Sequence, residues 1–182
     1  MKIVGFSGSP RKDGSTNTLI KRIFKKAEDN DYETNIFYLN DMNINPCQAC
    51  GYCKENEGCD LDDAMKNLYE EIENADYIII GSPIYYGEVS AQTKLFTDRF
   101  YSIFNSKTKN LDNKKVILVY SQGNPDPQTY IKYIRHQNKF LYEFMGFDVI
   151  DTLIASGINS KEELLKNQEI LEKADEISAK IE

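Results

Sequence analysis

Two short runs, Tyr77–Ile80 and Val116–Val119, carry an apolar or aromatic side chain at every position. A strand with one wet face alternates between apolar and polar residues. A strand apolar throughout must be covered on both faces, the habit of a parallel sheet held between two layers of helix. Around these runs the pattern switches repeatedly between strand-like and helix-like periods. Lys2–Ser7, Glu33–Leu39, Asp76–Gly81, Lys115–Tyr120 and Phe147–Ala155 read as strands. Between them, Leu19, Ile20, Ile23, Phe24 and Ala27 recur at helical spacing. So do Met65, Leu68, Ile72 and Ala75, with Asp62 or Asp63 placed to cap them. A further helix is expected from about Ser90 to Phe104. Another contains Ile131, Ile134, Leu141 and Met145 and stops at Gly146, and a last one closes the chain over Glu162–Ile181.

Five strands alternating with helices, with neither repeat nor linker, predict one domain over residues 1–182. The expected fold class is α/β: a flavodoxin-like three-layer sandwich around a five-stranded parallel sheet in the order 2-1-3-4-5. In such a sheet the loops leaving the strand ends gather at one carboxyl edge, where ligands bind. The loop Ser7–Asn17, a cysteine-rich insertion at about 44–60, the segment Pro83–Ser90 and the loop Ser121–Pro127 are therefore expected on one rim.

The first loop is dense in donors. Ser9, Arg11, Ser15, Thr16, Asn17 and Thr18 lie where a strand passes into a helix, whose N-terminus offers free N–H groups and partial positive charge. Arg11 can meet a phosphate with two parallel hydrogen bonds. The loop lacks the Gly-Lys-Ser/Thr of a Walker loop and the G-x-G-x-x-G of a dinucleotide fold. A polar turn followed by a helix cap is the plainer alternative.

Gly8-Ser9-Pro10-Arg11…Ser15-x-Asn17 resembles the FMN phosphate loop of the NAD(P)H-dependent FMN reductase family. Gly81-Ser82-Pro83-Ile84-Tyr85-Tyr86-Gly87-Glu88-Val89-Ser90, continuing to Asp98-Arg99, is similar to the flavin-facing segment of that family. The likeness runs from Lys2 to about Ser121. It implies FMN as cofactor, held by the loop donors and by Pro83, Ile84, Tyr85, Tyr86, Gly87 and Ser121. It also implies NAD(P)H as a possible hydride donor, and a homo-oligomer, dimer or tetramer, with FMN near a subunit interface. Tyr85 and Tyr86 could pack on a flat tricyclic ring, and backbone donors near Gly87 could stabilise a reduced flavin.

All four cysteines fall in one short segment: Cys47-x2-Cys50-x2-Cys53-x5-Cys59. Four thiolates can ligate a [4Fe–4S] cluster, and Gly51 and Gly58 would let the loop turn around it. The spacing resembles the compact motif of iron–sulfur flavoproteins, a branch of the same family, which implies ferredoxin as a possible electron donor. Structural zinc, a cysteine-rich loop without a cluster, and a transient disulfide stay open.

Charge and composition exclude other classes. A net charge of −7 and a pI near 4.9 argue against gripping nucleic acid through a basic surface. No apolar run approaches the ~20 residues that span a bilayer, and Met1–Phe6 is too short for a signal peptide, so the expected compartment is the cytoplasm. The sole histidine, His136, reads as a solvent-facing helix residue, and the sequence offers no Ser–His–Asp set and no metalloprotease motif. Tyr101 and Phe104 suit either a subunit interface or core packing. The expected function is a flavin-dependent oxidoreductase passing electrons between FMN, a [4Fe–4S] cluster and external partners. An NAD(P)H-dependent FMN/quinone reductase without a cluster and a flavodoxin-like electron carrier are the alternatives.

Overall fold

The computed structural model describes residues 1–107, 111 and 114–181, with the Lys26 side chain left aside. Strand β1 (Lys2–Ser7) leads into α1 (Ser15–Asp29), β2 (Glu33–Tyr38) and a 3-10 turn at Leu39–Asp41. The cysteine segment follows, with a single helical turn, α2 (Tyr52–Glu55), before α3 (Met65–Asn74). Then come β3 (Tyr77–Tyr85), β4 (Glu88–Val89), α4 (Ala91–Asp98) and α5 (Tyr101–Phe104). The chain closes with β5 (Lys115–Ser121), α6 (Ile131–Gln137), a π-helical turn at Asn138–Glu143, β6 (Asp148–Ala155), α7 (Lys161–Lys166) and α8 (Gln168–Ser178).

The five long strands are parallel and ordered β2-β1-β3-β5-β6, which is 2-1-3-4-5 once the two-residue β4 is passed over. This is the order expected from the sequence. The central strands divide their side chains between two cores, as a pleat with period two requires. Ile3, Tyr77, Ile79, Ile117 and Val119 face α1, α7 and α8 with Ile20, Ile23, Leu164 and Ile177. Val4, Phe6, Ile78, Ile80, Val116 and Leu118 face α3–α6 with Leu68, Ile72, Phe96, Phe100 and Ile134. Cutting one of these buried isoleucines to alanine costs roughly 2–5 kcal/mol, depending on how far the site collapses.

Three elements differ from the sequence expectation. β3 continues past Gly81 to Tyr85 and folds back on β4 as a two-residue hairpin, Tyr85 opposite Glu88. Tyr86 and Gly87 at its tip both have positive φ, 50° and 86°, the signature of a type I′ turn. Ser82 and Pro83 disguise this extension as a loop; Pro83 pairs with Ser121 of the parallel neighbour. The helix expected over Ser90–Phe104 breaks at Arg99–Phe100, where Arg99 reaches across to the cysteine segment. The closing helix breaks at Asn167, whose side chain turns back to accept the Ile170 N–H at 3.1 Å and so starts a second helix. Asp63 does meet the first turn of α3, accepting the Met65 N–H at 3.0 Å. Among the described residues no helix is long and apolar enough to cross a membrane.

Candidate functional site

At the carboxyl edge, β1 and β3 are locked to the start of α4. Ser90 caps α4 by accepting the Thr93 N–H, and its hydroxyl donates to the Gly8 carbonyl at 2.8 Å. The Ser82 hydroxyl accepts the Ser90 N–H at 3.0 Å. Gly8 is needed here for space: a Cβ on it would lie 1.8 Å from the Thr93 hydroxyl. The Ser7–Asn17 loop thus rests directly on the helix that follows the hairpin.

Beside this lock opens a cleft of 240 Å³. Of the residues expected to bind a cofactor, Ser9, Arg11, Ser15, Thr16, Pro83, Ile84, Tyr85 and Ser121 line it. Asn17, Thr18, Tyr86 and Gly87 do not. Asn17 is buried and donates to the Arg11 carbonyl at 2.8 Å, bracing the loop from below. Thr18 donates back to the Gly14 carbonyl at 3.0 Å. Tyr86 stands wholly in solvent at the hairpin tip. The cleft also takes Gly14, Gln122 and Gly123, which lie in loops expected on the ligand-binding rim without being singled out, and Ile158 and Asn159, which sequence reasoning missed. Ser121-Gln122-Gly123 directly follows an apolar strand, and that polar burst was the available signal. Ile158 and Asn159 come from the loop after β6, which nothing local in the sequence ties to the first loop.

The donor set suits a phosphate. Gly14 starts α1 without a side-chain cap, so the first-turn N–H groups of α1 are left to a ligand. Ser9, Ser15 and Thr16 add hydroxyls, and Arg11 reaches across the mouth to donate to the Asn159 carbonyl at 3.2 Å. At the other end of the cleft Gln122 is buried, with its side-chain oxygen lacking a protein partner. An orphaned acceptor of that kind suits an N–H donor such as the pyrimidine edge of a flavin.

The four cysteines line a second, smaller pocket together with Arg99, Tyr101 and Ser102. It shares no lining residue with the first cleft, so the loops expected on one rim line two separate pockets. They sit towards opposite ends of α4, whose eight residues measure about 12 Å. The cysteine loop turns through left-handed backbone at Ala49, Gly51 and Gly58, with φ of 50°, 80° and 80°. All four thiols are free, Cys47 and Cys50 exposed and Cys53 and Cys59 partly covered. Burial pushes the Cys53 thiol up, and the nearby Cys59, Cys47 and Cys50 push it further. Although the thiols sense one another, among the described residues no three His, Cys, Asp or Glu side chains converge as a ready-made single-ion site.

The wall of this pocket is charged. Arg99 and Asp63 form an ion pair at 2.5 Å, with side-chain exposures of 1% and 0%. Desolvation works against the guanidinium charge, but the hydrogen bond it donates to Asp63 and the neighbouring Tyr69 and Cys59 outweigh it and hold its pKa above the ordinary value. Burial likewise opposes ionisation of Asp63, and bonds from Arg99, Asn45 and Met65 still hold its carboxyl below the usual range. Tyr69 donates to the Arg99 carbonyl at 3.0 Å, and burial pushes its phenol up to about 12. His136 is exposed and lies against Phe140, far in role from either site.

The profile of the NADPH-dependent FMN reductase family matches residues 1–152. An iron-sulfur flavoprotein of Methanocaldococcus jannaschii is 40% identical over 99 residues, covering 54% of this chain and 51% of that one. An iron-sulfur flavoprotein of Methanosarcina thermophila is 38% identical over 99 residues, covering 54% and 52%. The chain spans about half the length of the curated relatives it matches. Among solved structures, the NAD(P)H:quinone oxidoreductase from Methanothermobacter marburgensis superposes with a TM-score of 0.75 at 14% identity, over 98% of this chain and 95% of that one. That likeness is one of fold.

Proposed function

The chain belongs to the NADPH-dependent FMN reductase family, and from that premise we propose that it is a flavin-dependent oxidoreductase of the iron–sulfur flavoprotein kind. It binds FMN in the cleft above β1 and β3, and a [4Fe–4S] cluster on Cys47, Cys50, Cys53 and Cys59. The observation that carries this reading is the pairing of a phosphate-suited cleft with a separate four-thiol pocket at the two ends of one helix. When bound, FMN supplies hydride or single-electron chemistry and the cluster supplies single-electron transfer.

The chain's own residues bind and orient. Ser9, Arg11, Ser15 and Thr16 hold the phosphate, with Asn17 and Thr18 shaping the loop behind them. Pro83, Ile84 and Tyr85 form one wall of the flavin site, Ser121 and Gln122 the other. Tyr86 and Gly87 form the adjacent turn. NAD(P)H or a ferredoxin supplies the electrons, and the protein works as a homo-oligomer in the cytoplasm, where thiols stay reduced.

A second reading is the cluster-free FMN/quinone reductase, in keeping with the match to the NADPH-dependent FMN reductase family over residues 1–152. Anaerobic reconstitution separates the two. The expected result is FMN on release and chromatography, four irons with matching sulfide per chain, and an electron paramagnetic resonance signal on reduction. Alanine at any one cysteine is expected to lower iron and sulfide while FMN remains. A metal-free wild type with full NAD(P)H-dependent flavin reduction gives the cluster-free reading, and one bound zinc overturns the redox role of the cysteines.

A further inference from the structure

Asn45 and Asp63 stand at the two ends of the cysteine segment, and Arg99 ties them together from α4–α5. Its Nη1 donates to the Asn45 carbonyl at 2.8 Å and to Asp63 Oδ2 at 2.5 Å. Asp63 also accepts the backbone N–H groups of Asn45 and Met65, at 2.9 and 3.0 Å. The carboxylate is therefore fixed on several sides, and it fixes one edge of the guanidinium. The other nitrogen, Nη2, lies 3.3 Å from Asp63 Oδ1 and 3.4 Å from Cys59 Sγ. The Nε is buried without a protein partner. A long charged side chain held at 1% exposure is costly unless its bonds are used. Here the ion pair presents its positive end to the sulfur.

We propose that Arg99 is a positioning residue that raises the reduction potential of the cluster held by the four cysteines, by donating to the Cys59 sulfur. The proposal rests on the cluster reading above and deepens it. Uptake of one electron makes the cluster and its thiolates one unit more negative, with no bond made or broken. A donor and a fixed positive charge at a ligand sulfur favour that more negative state. The electron comes from an external reductant, dithionite in the test below.

A role confined to closing the loop predicts something different: cluster loading changes and potential does not. Arg99→Gln alone would strand Asp63 as a buried charge, so the test pairs it with Asp63→Asn. Wild type, Arg99→Lys and the double variant Asp63→Asn/Arg99→Gln are reconstituted anaerobically. Iron, sulfide and FMN are counted. The cluster is then titrated with dithionite under electron paramagnetic resonance, and the flavin is followed by visible absorption. In the double variant the reduced-to-oxidised ratio of the cluster at a fixed potential is expected to fall about tenfold, a downward shift of about 59 mV for one electron. Arg99→Lys keeps the charge and shifts less, and the flavin midpoint stays put. Loaded variants with the wild-type cluster potential overturn the proposal while leaving the cluster reading intact. Failure of both variants to load overturns it too, since Arg99 then serves assembly alone. A wild type without iron and sulfide overturns the cluster reading itself and this proposal with it.

Discussion

Tyr86 combines a left-handed backbone, φ 50°, with a side chain that is fully exposed to solvent. A tyrosine there costs about 1 kcal/mol relative to a residue at ease in that region. The ring is fully exposed and gains no burial in return, and its proposed use is with a ligand or partner at the turn beside the cleft. Tyr86→Asn is expected to raise the unfolding free energy by up to about 1 kcal/mol in urea and to lower flavin turnover. Unchanged turnover would place the ring outside the reaction. Arg11 and Ser15 carry the opposite expectation, a binding loss without a stability gain. A hydrogen bond to a charged group is worth about 1.5–3 kcal/mol, so Arg11→Ala or Ser15→Ala should weaken FMN binding by roughly ten- to a hundredfold. Fluorescence titration of the apoprotein reads this directly, and equal affinity in both variants removes them from the phosphate site.

At the scale of elements, the cysteine segment is held shut by Asp63 and Arg99, and that clasp is expected to make the fold sensitive to acid. The native Asp63 carboxyl is held below its ordinary value of 3.8, so its contribution to stability is fully present above that pH. It is lost as pH falls through the lowered native value, where the buried carboxylate takes up a proton. Urea unfolding at neutral pH and near pH 3 should therefore differ less in Asp63→Asn/Arg99→Gln than in wild type. An identical difference would show that other carboxylates govern acid unfolding. Nothing in the sequence announces this pair: Asp63 reads as a cap and Arg99 as a residue inside the helix expected over Ser90–Phe104, and only the fold brings them together. The sheet order was legible because fully apolar runs such as Val116–Val119 admit few arrangements. The hairpin was not, because Ser82 and Pro83 interrupt the apolar pattern while the strand carries on. Much of the cleft at the carboxyl edge was legible for a related reason. Ser9–Thr16 and Pro83–Tyr85 are contiguous and carry their own chemistry, whereas Ile158 and Asn159 reach the cleft only through the crossing of the last strand.

Across the whole molecule, the exposed large side chains are unevenly spread. Tyr101 lines the cysteine pocket and is 40% exposed; three residues on, Phe104 is 49% exposed and stacks on Phe144 at 5.4 Å between ring centroids. Phe144 and Phe140 are 64% and 60% exposed. Aromatic rings stacked in open water forgo much of the burial they could gain, roughly 25 cal/mol for each Å² covered. A second copy of the chain would cover them, and the homo-oligomer proposed above needs a surface of this kind. Light scattering is expected to show a dimer or larger species over micromolar concentrations. Phe144→Glu places a charge in the stack and should move the population towards monomer, since an unpaired charge at the centre of an interface is costly to desolvate. The residue is exposed within the chain, so the variant's thermal unfolding should stay within about 0.5 kcal/mol of wild type when both are compared as monomers. A wild type that is monomeric at every concentration would refute the oligomer. An oligomer unmoved by Phe144→Glu would shift the interface elsewhere, and the solvent-facing Tyr86 hairpin would be the next surface to charge.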